Sequence, residues 1–254
     1  MSNDRLEGTV ALVTGASSGI GEATARALAQ HGAAVALVAR RGDRLQKLAC
    51  EIGSSGGTAV SIEADVTQRD EAEAAVERAA ELGRLDVLIN NAGVMLLGPI
   101  ADAPLEEWER MVHVNLFGLL YCARAALPHL LQAAEREPRR TADLVNISSV
   151  AGRLVRLGSG VYSATKHAVG AFSESLRQEV TTRHLRVSLI EPGAVDTELA
   201  SHNRPEIREG MSDRFAGIQR LDARDIADAI LYVLTRPRHV AVNEILIRPT
   251  EQEQ

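Results

Sequence analysis

Short runs of β-branched and aliphatic residues alternate along the chain with longer segments whose apolar positions recur every three or four residues. The short runs read as buried strands: Val10 to Thr14, Ala34 to Ala39, Ala59 to Ala64, Asp86 to Asn90, Asp143 to Ser148, Val187 to Glu191 and Glu244 to Ile247. The longer segments read as the helices between them. Strand and helix in strict succession require right-handed crossovers, so the pattern predicts a doubly wound parallel sheet with helices on both faces. The alternation covers nearly the whole chain, which predicts a single α/β domain over residues 1–254. Sheets of this kind bind ligands beyond the carboxyl ends of their strands, so the chemistry is expected in the segments that follow each strand.

Two segments break the pattern: 134–141, rich in charge, and 197–220, interrupted by Pro205, Gly210 and Gly217. The second follows a strand's carboxyl end, which predicts a mobile substrate lid at 197–220. The helix expected at 105–133 is apolar around more of its circumference than one sheet contact buries. That surplus predicts a homo-oligomer, dimer or tetramer, packed through this helix; complete coverage inside the fold is the alternative.

Hydrophobic residues make up 45% of the 254 and aromatics only 3%, so the core is expected to be Ala, Val, Leu and Ile, as in a helix-covered parallel sheet. A net charge of -6 argues against a nucleic-acid surface, which needs a clustered positive field. No uninterrupted apolar run approaches the roughly 20 residues of a membrane span, so no membrane partner is expected. Cys50 and Cys122 stand far apart and nothing resembling a leader precedes Val10, which together read as reduced thiols of a cytoplasmic protein. The seven histidines show no metal-ligand spacing, and no metal is expected.

The first strand runs into TGASSGIG and then a helical pattern. Gly15, Gly19 and Gly21 let the turn tighten around Ser17, Ser18 and Ile20, and the helix start offers N–H groups and positive dipole to a pyrophosphate. Strand, turn and helix stand in the order of a Rossmann-type dinucleotide site. The second strand ends in ALVARR: Ala39 is neutral where a site for NAD usually offers a carboxylate, and Arg40 and Arg41 follow. A guanidinium grips a 2′-phosphate, so NADP(H) is the expected cofactor with Arg40 as the main phosphate contact; a solvated basic turn is the alternative. Asp65 and Val66 end the third strand, where they could flank the adenine. In NNAGV after the fourth, Asn90, Asn91, Ala92 and Gly93 are placed to let backbone pass near the ribose.

VYSATKHAV sets Tyr162 and Lys166 one turn apart on one helix face, among small neighbours that offer an aromatic little packing. Reducing a carbonyl by hydride transfer leaves an alkoxide to be protonated, and the reverse reaction needs a base. Tyrosine serves both if its pKa falls, and an ammonium at about 4 Å supplies about the 4 kcal/mol required at an effective dielectric near 20. Ser148, ending a strand, is expected to donate to the substrate oxygen, while Ser149 points away by strand alternation. Asn115, on the long helix, is expected to order a relay water behind Lys166. Met95 with Val150, Leu154 and Val155 follow strand ends and are the expected pocket walls. Arg153 and Arg156 are either anchors for a substrate carboxylate or solvated loop charges.

TGASSGIG, NNAG, Asn115, Ser148, YSATK, and Pro192-Gly193 with Thr197 stand in order across residues 10–199. Jointly they resemble the short-chain dehydrogenase/reductase family, in its shorter-chain branch. The resemblance implies a catalytic tetrad of Asn115, Ser148, Tyr162 and Lys166, with Lys166 also on the nicotinamide ribose and Val195 and Thr197 near the carboxamide. It further implies an oxidoreductase that interconverts a small-molecule aldehyde or ketone and its alcohol. Three readings compete: a catalytically silent NADP(H)-binding module, which would not need a proton-transfer set; a 3-oxoacyl thioester reductase or hydroxy-acid dehydrogenase of the same family; and a nucleotide-sugar epimerase or dehydratase, which generally needs a larger C-terminal domain.

Overall fold

The computed structural model describes residues 6–137, 139–214 and 217–253; Phe215 and Ala216, part of the expected lid, lie outside the described residues. The strands are β1 (Val10–Thr14), β2 (Ala34–Ala39), β3 (Thr58–Glu63), β4 (Leu85–Asn90), β5 (Ala142–Ile147), β6 (Leu185–Pro192) and β7 (Glu244–Ile247). The helices are α1 (Gly19–Gln30), α2 (Gly42–Ser54), α3 (Arg69–Ala80), α4 (Leu105–Val112), α5 (Leu119–Ala134), α6 (Gly160–Val180), α7 (Pro205–Arg214) and α8 (Ala223–Leu234). The strands form one parallel sheet in the order β3-β2-β1-β4-β5-β6-β7. This is the expected Rossmann-type doubly wound fold. The strand order reverses direction between β1 and β4, which opens a crevice beyond their carboxyl ends.

Each strand feeds two cores. Along β1, Val10 and Leu12 face one core while Ala11 and Val13 face the other. Both faces are therefore apolar, and an alternation of period two cannot be seen in the sequence. Ala25 and Leu28 of α1, Leu45 and Leu48 of α2, and Ile226 and Ile230 of α8 close one face. Ala72 and Val76 of α3, Cys122 and Ala126 of α5, and Leu176 and Val180 of α6 close the other. Each such buried Leu or Ile contributes about 1.5–3 kcal/mol of transfer free energy.

Three expectations need correction. The long helix is not regular: between α4 and α5 a π-helical segment, His113–Gly118, widens the turn. Gly118 there lies against Val66, where a Cβ would come 2.9 Å from Val66 Cγ2. Secondly, helical turns interrupt the segment expected to be irregular: Glu198–His202 forms a 3-10 helix and Pro205 opens α7, the position where its missing N–H costs nothing. Thirdly, the continuous helical run Leu105–Ala134 is long and apolar enough, by length and composition alone, to cross a membrane. Cys122, Ala126, Leu130 and Ala133 of that run pack into the sheet-facing core, as in a core helix of a globular fold. On its other side Phe117 stacks with Tyr121 at 6.0 Å and stays 38% exposed.

Candidate active site

The crevice beyond β1 and β4 is a cavity of about 580 Å³ whose lining reaches from Arg40 and Asp65, beyond β2 and β3, to Leu154 and Tyr162, beyond β5. Its floor is the glycine-rich turn. Gly15 takes φ +66 and a Cβ there would sit 2.9 Å from the Ala92 backbone, while Gly19 at φ +56 lies against Thr197. The Ser18 N-cap of α1 offers no side chain to the first turn, which leaves its N–H groups to face the cavity. Asn91 fastens this turn to β4: its Nδ2 donates to Thr14 O at 3.0 Å and Gly15 O at 3.3 Å.

Most of the expected cofactor residues line this cavity: Gly15, Ser17, Ser18, Gly19 and Ile20 on the turn, Arg40, Arg41, Asp65 and Val66 at one end, and Asn91, Ala92 and Gly93 beyond β4. Pro192, Gly193, Val195 and Thr197, beyond β6, line it as well. Gly21 does not. A Cβ at Gly21 would meet Gly15 O at 2.4 Å, so its role is to let α1 pack on the turn. Asn90 is also absent from the wall, being buried in β4 with its Nδ2 on Asn146 Oδ1 at 3.0 Å.

Arg40 was the expected main phosphate contact, but Arg41 is the arginine built into the turn. Its Nε donates to Ser17 Oγ at 3.0 Å and its Nη2 to Ser18 Oγ at 2.7 Å. Arg40 is exposed at the rim.

At the other end Tyr162 and Lys166 share the first turns of α6, both buried. Burial raises the Tyr162 phenol above its ordinary value, partly opposed by a hydrogen bond with Ser149. Burial also lowers the Lys166 ammonium to about 8. The Lys166 Nζ donates to Ile147 O at 2.8 Å and lies 5.9 Å from the Tyr162 ring centroid. Desolvation sets the direction at Tyr162, and the expected downward pull of Lys166 does not reverse it.

The serine assignment is corrected in the same place. β5 ends at Ile147, so strand alternation no longer governs residue 149. Ser149 instead caps the 3-10 turn Val150–Gly152, its Oγ accepting from Ala151 N at 3.1 Å, and that geometry turns it to the Tyr162 hydroxyl. Ser148 also lines the cavity, and its Oγ donates to Lys166 O at 3.2 Å, which ties it to α6. Ser149, which sequence alternation had turned away, is the serine beside the tyrosine.

Asn115 lies behind the wall. Its Oδ1 accepts from Val94 N at 2.8 Å, and its Nδ2 donates to Val94 O at 2.9 Å and Thr165 Oγ1 at 3.2 Å. Both amide hydrogens are used, so the side chain holds the loop after β4 against α6. The π turn is what swings it there; π turns recur at functional sites for such reasons. Met95, Val150 and Leu154 line the cavity, but Val155 is 67% exposed and does not. Arg153 is tied to Glu191 and Glu244 away from the cavity, whereas Arg156 lines it. Gln252 was not anticipated: it returns from the C-terminal segment to accept from Ala194 N at 2.8 Å and lines the cavity. No local motif announces such a contact.

A family model described as short chain dehydrogenase matches residues 9–208. Over 97% of its length the chain is 43% identical to glycine betaine reductase ATRR of Emericella nidulans, of which it spans 19%. Over 94% of its length it is 41% identical to an uncharacterized oxidoreductase, SA2266, of Staphylococcus aureus, covering 96% of that protein. Among solved structures, the closed form of serine dehydrogenase complexed with NADP+ matches with a TM-score of 0.87 at 34% identity, 96% of each chain being covered.

Proposed function

The chain belongs to the short-chain dehydrogenase family and is an oxidoreductase of that class, and on that premise we propose that it is an NADP(H)-dependent carbonyl reductase, acting reversibly on an aldehyde or ketone. The observation that carries this reading is one cavity holding both the glycine-rich helix start and the Tyr162–Ser149–Lys166 group. The residues fit a dinucleotide: the α1 start would hold the pyrophosphate, Arg40 and Arg41 the 2′-phosphate, Lys166 the nicotinamide ribose, and Val195 with Thr197 the carboxamide. When bound, the reduced nicotinamide supplies the hydride.

The chain's own residues do the rest. The substrate carbonyl oxygen sits between the Tyr162 hydroxyl and Ser149 Oγ, which orient it and stabilise its developing charge. Tyr162, whose burial favours the protonated phenol, gives its proton to that oxygen on reduction and regains one from the alcohol on oxidation. Lys166, near 8, adds positive charge beside the phenolate that forms. Asn115 keeps α6 and the loop after β4 in register, and the 197–220 segment closes over the substrate as a lid.

Met95, Leu97, Val150 and Leu154 give the cavity apolar walls beyond β4 and β5. NNAGVMLLGPI, RAALPHLL, FSESLRQEV and EILIRPT are also similar to segments of clavaldehyde dehydrogenase, an NADPH-dependent aldehyde reductase, so a clavaldehyde-like β-lactam belongs among the substrates to try.

The test follows nicotinamide absorbance with NADPH or NADH over a panel of aldehydes, ketones and 3-oxoesters. NADPH-dependent turnover that disappears in Tyr162→Phe is expected. Equal use of both cofactors overturns the cofactor assignment, and tight binding without turnover in either direction makes the chain a binding module.

A further inference from the structure

The 3-10 turn that follows β6 sits directly on the glycine-rich turn, with Thr197 against Gly19. From it Glu198 reaches across the cofactor end of the cavity to two arginines at the start of α2, accepting from Arg41 Nη1 at 2.8 Å and Arg44 Nη1 at 2.7 Å. Arg41 already gives Nε and Nη2 to Ser17 and Ser18. Its three nitrogens are therefore all engaged, one of them by a carboxylate borne on the segment that covers the site. His202 on the same turn lies near Arg110, Arg41 and Arg40, so the corner is rich in arginine and Glu198 is set among them.

We propose that Glu198 is a cofactor-specificity residue: its carboxylate occupies Arg41 and Arg44 as a stand-in for the 2′-phosphate, and weakens NADP(H) binding without weakening NAD(H) binding. A 2′-phosphate must take Arg41 from Glu198 or sit beside it, and like charges at that separation repel. A cofactor with a free 2′-hydroxyl leaves the pairs intact. Arg41, Arg44 and Glu198 are each 39–45% exposed, so the competition is modest and screened by salt. The inference rests on the NADP(H) reading above, and the same measurement separates the two.

The experiment is equilibrium binding of NADPH and of NADH, read by nicotinamide fluorescence, to wild type and Glu198→Gln at low and high salt. Glutamine keeps the shape and removes the charge. NADPH is expected to bind the variant roughly two- to fivefold more tightly, NADH unchanged, with the gain shrinking as salt rises. Unchanged or weaker NADPH binding by the variant overturns the proposal, and weakening of both cofactors identifies the pairs as a clasp that holds any dinucleotide in. Failure of wild type to prefer NADPH over NADH counts against the NADP(H) reading alone, because the change on substitution is measured within each cofactor.

Discussion

Replacing Lys166 with methionine should make the protein more stable at neutral pH and less stable in strong alkali. The amine is 5% exposed and burial lowers it from 10.5 to about 8. That difference corresponds to about 3 kcal/mol of cost for carrying the buried ammonium. The sign follows from proton uptake. Between pH 8 and 10.5 the unfolded chain holds a proton that the folded chain has lost, so wild-type stability rises with pH in that window, and the cost is fully present below it. Methionine fills similar volume without charge, but leaves Ile147 O without its 2.8 Å donor, a loss of about 1 kcal/mol. The net expectation is a gain of about 2 kcal/mol near pH 6.5 that turns into a loss of about 1 kcal/mol above pH 10.5. Urea unfolding followed by Trp108 fluorescence, with both proteins at one concentration, checks this. A variant less stable than wild type at pH 6.5, or a difference independent of pH, would refute the argument that desolvation dominates at Lys166. The same variant should be inactive, so stability and activity separate at one residue.

Other expectations follow from the same geometry. Ser149→Ala should lower kcat by about 10²-fold or more through loss of a donor to the substrate oxygen, whereas Ser148→Ala should cost far less; equal losses in steady-state kinetics would return the role to both serines. Sedimentation at micromolar concentration should show an oligomer that Phe117→Asp dissociates, because a charge there breaks the exposed aromatic face of the α4–α5 run; a monomeric wild type ends that idea.

The sequence by itself determined the sheet and the place of the chemistry. Seven aliphatic runs separated by helical periods allow few topologies, and TGASSGIG, NNAG and YSATK are contiguous, so local geometry carries their meaning. Tyr162 and Lys166 pair because four residues on a helix return to one face. What the tertiary structure decided were the positions set by where an element stops. Ser149 rather than Ser148 faces Tyr162 because β5 ends at Ile147 and a 3-10 turn follows, and one residue of difference reverses a side chain's direction. Asn115 reached the loop after β4 through a π turn that apolar periodicity cannot register. Glu198 meets Arg41 across 157 positions of chain, and Gln252 meets Ala194 across 58. Such contacts arise when crossovers bring distant loops to one sheet edge, and burial then sets the charge of what they enclose: the phenol of Tyr162 goes up, although its neighbour in sequence suggested that it should come down.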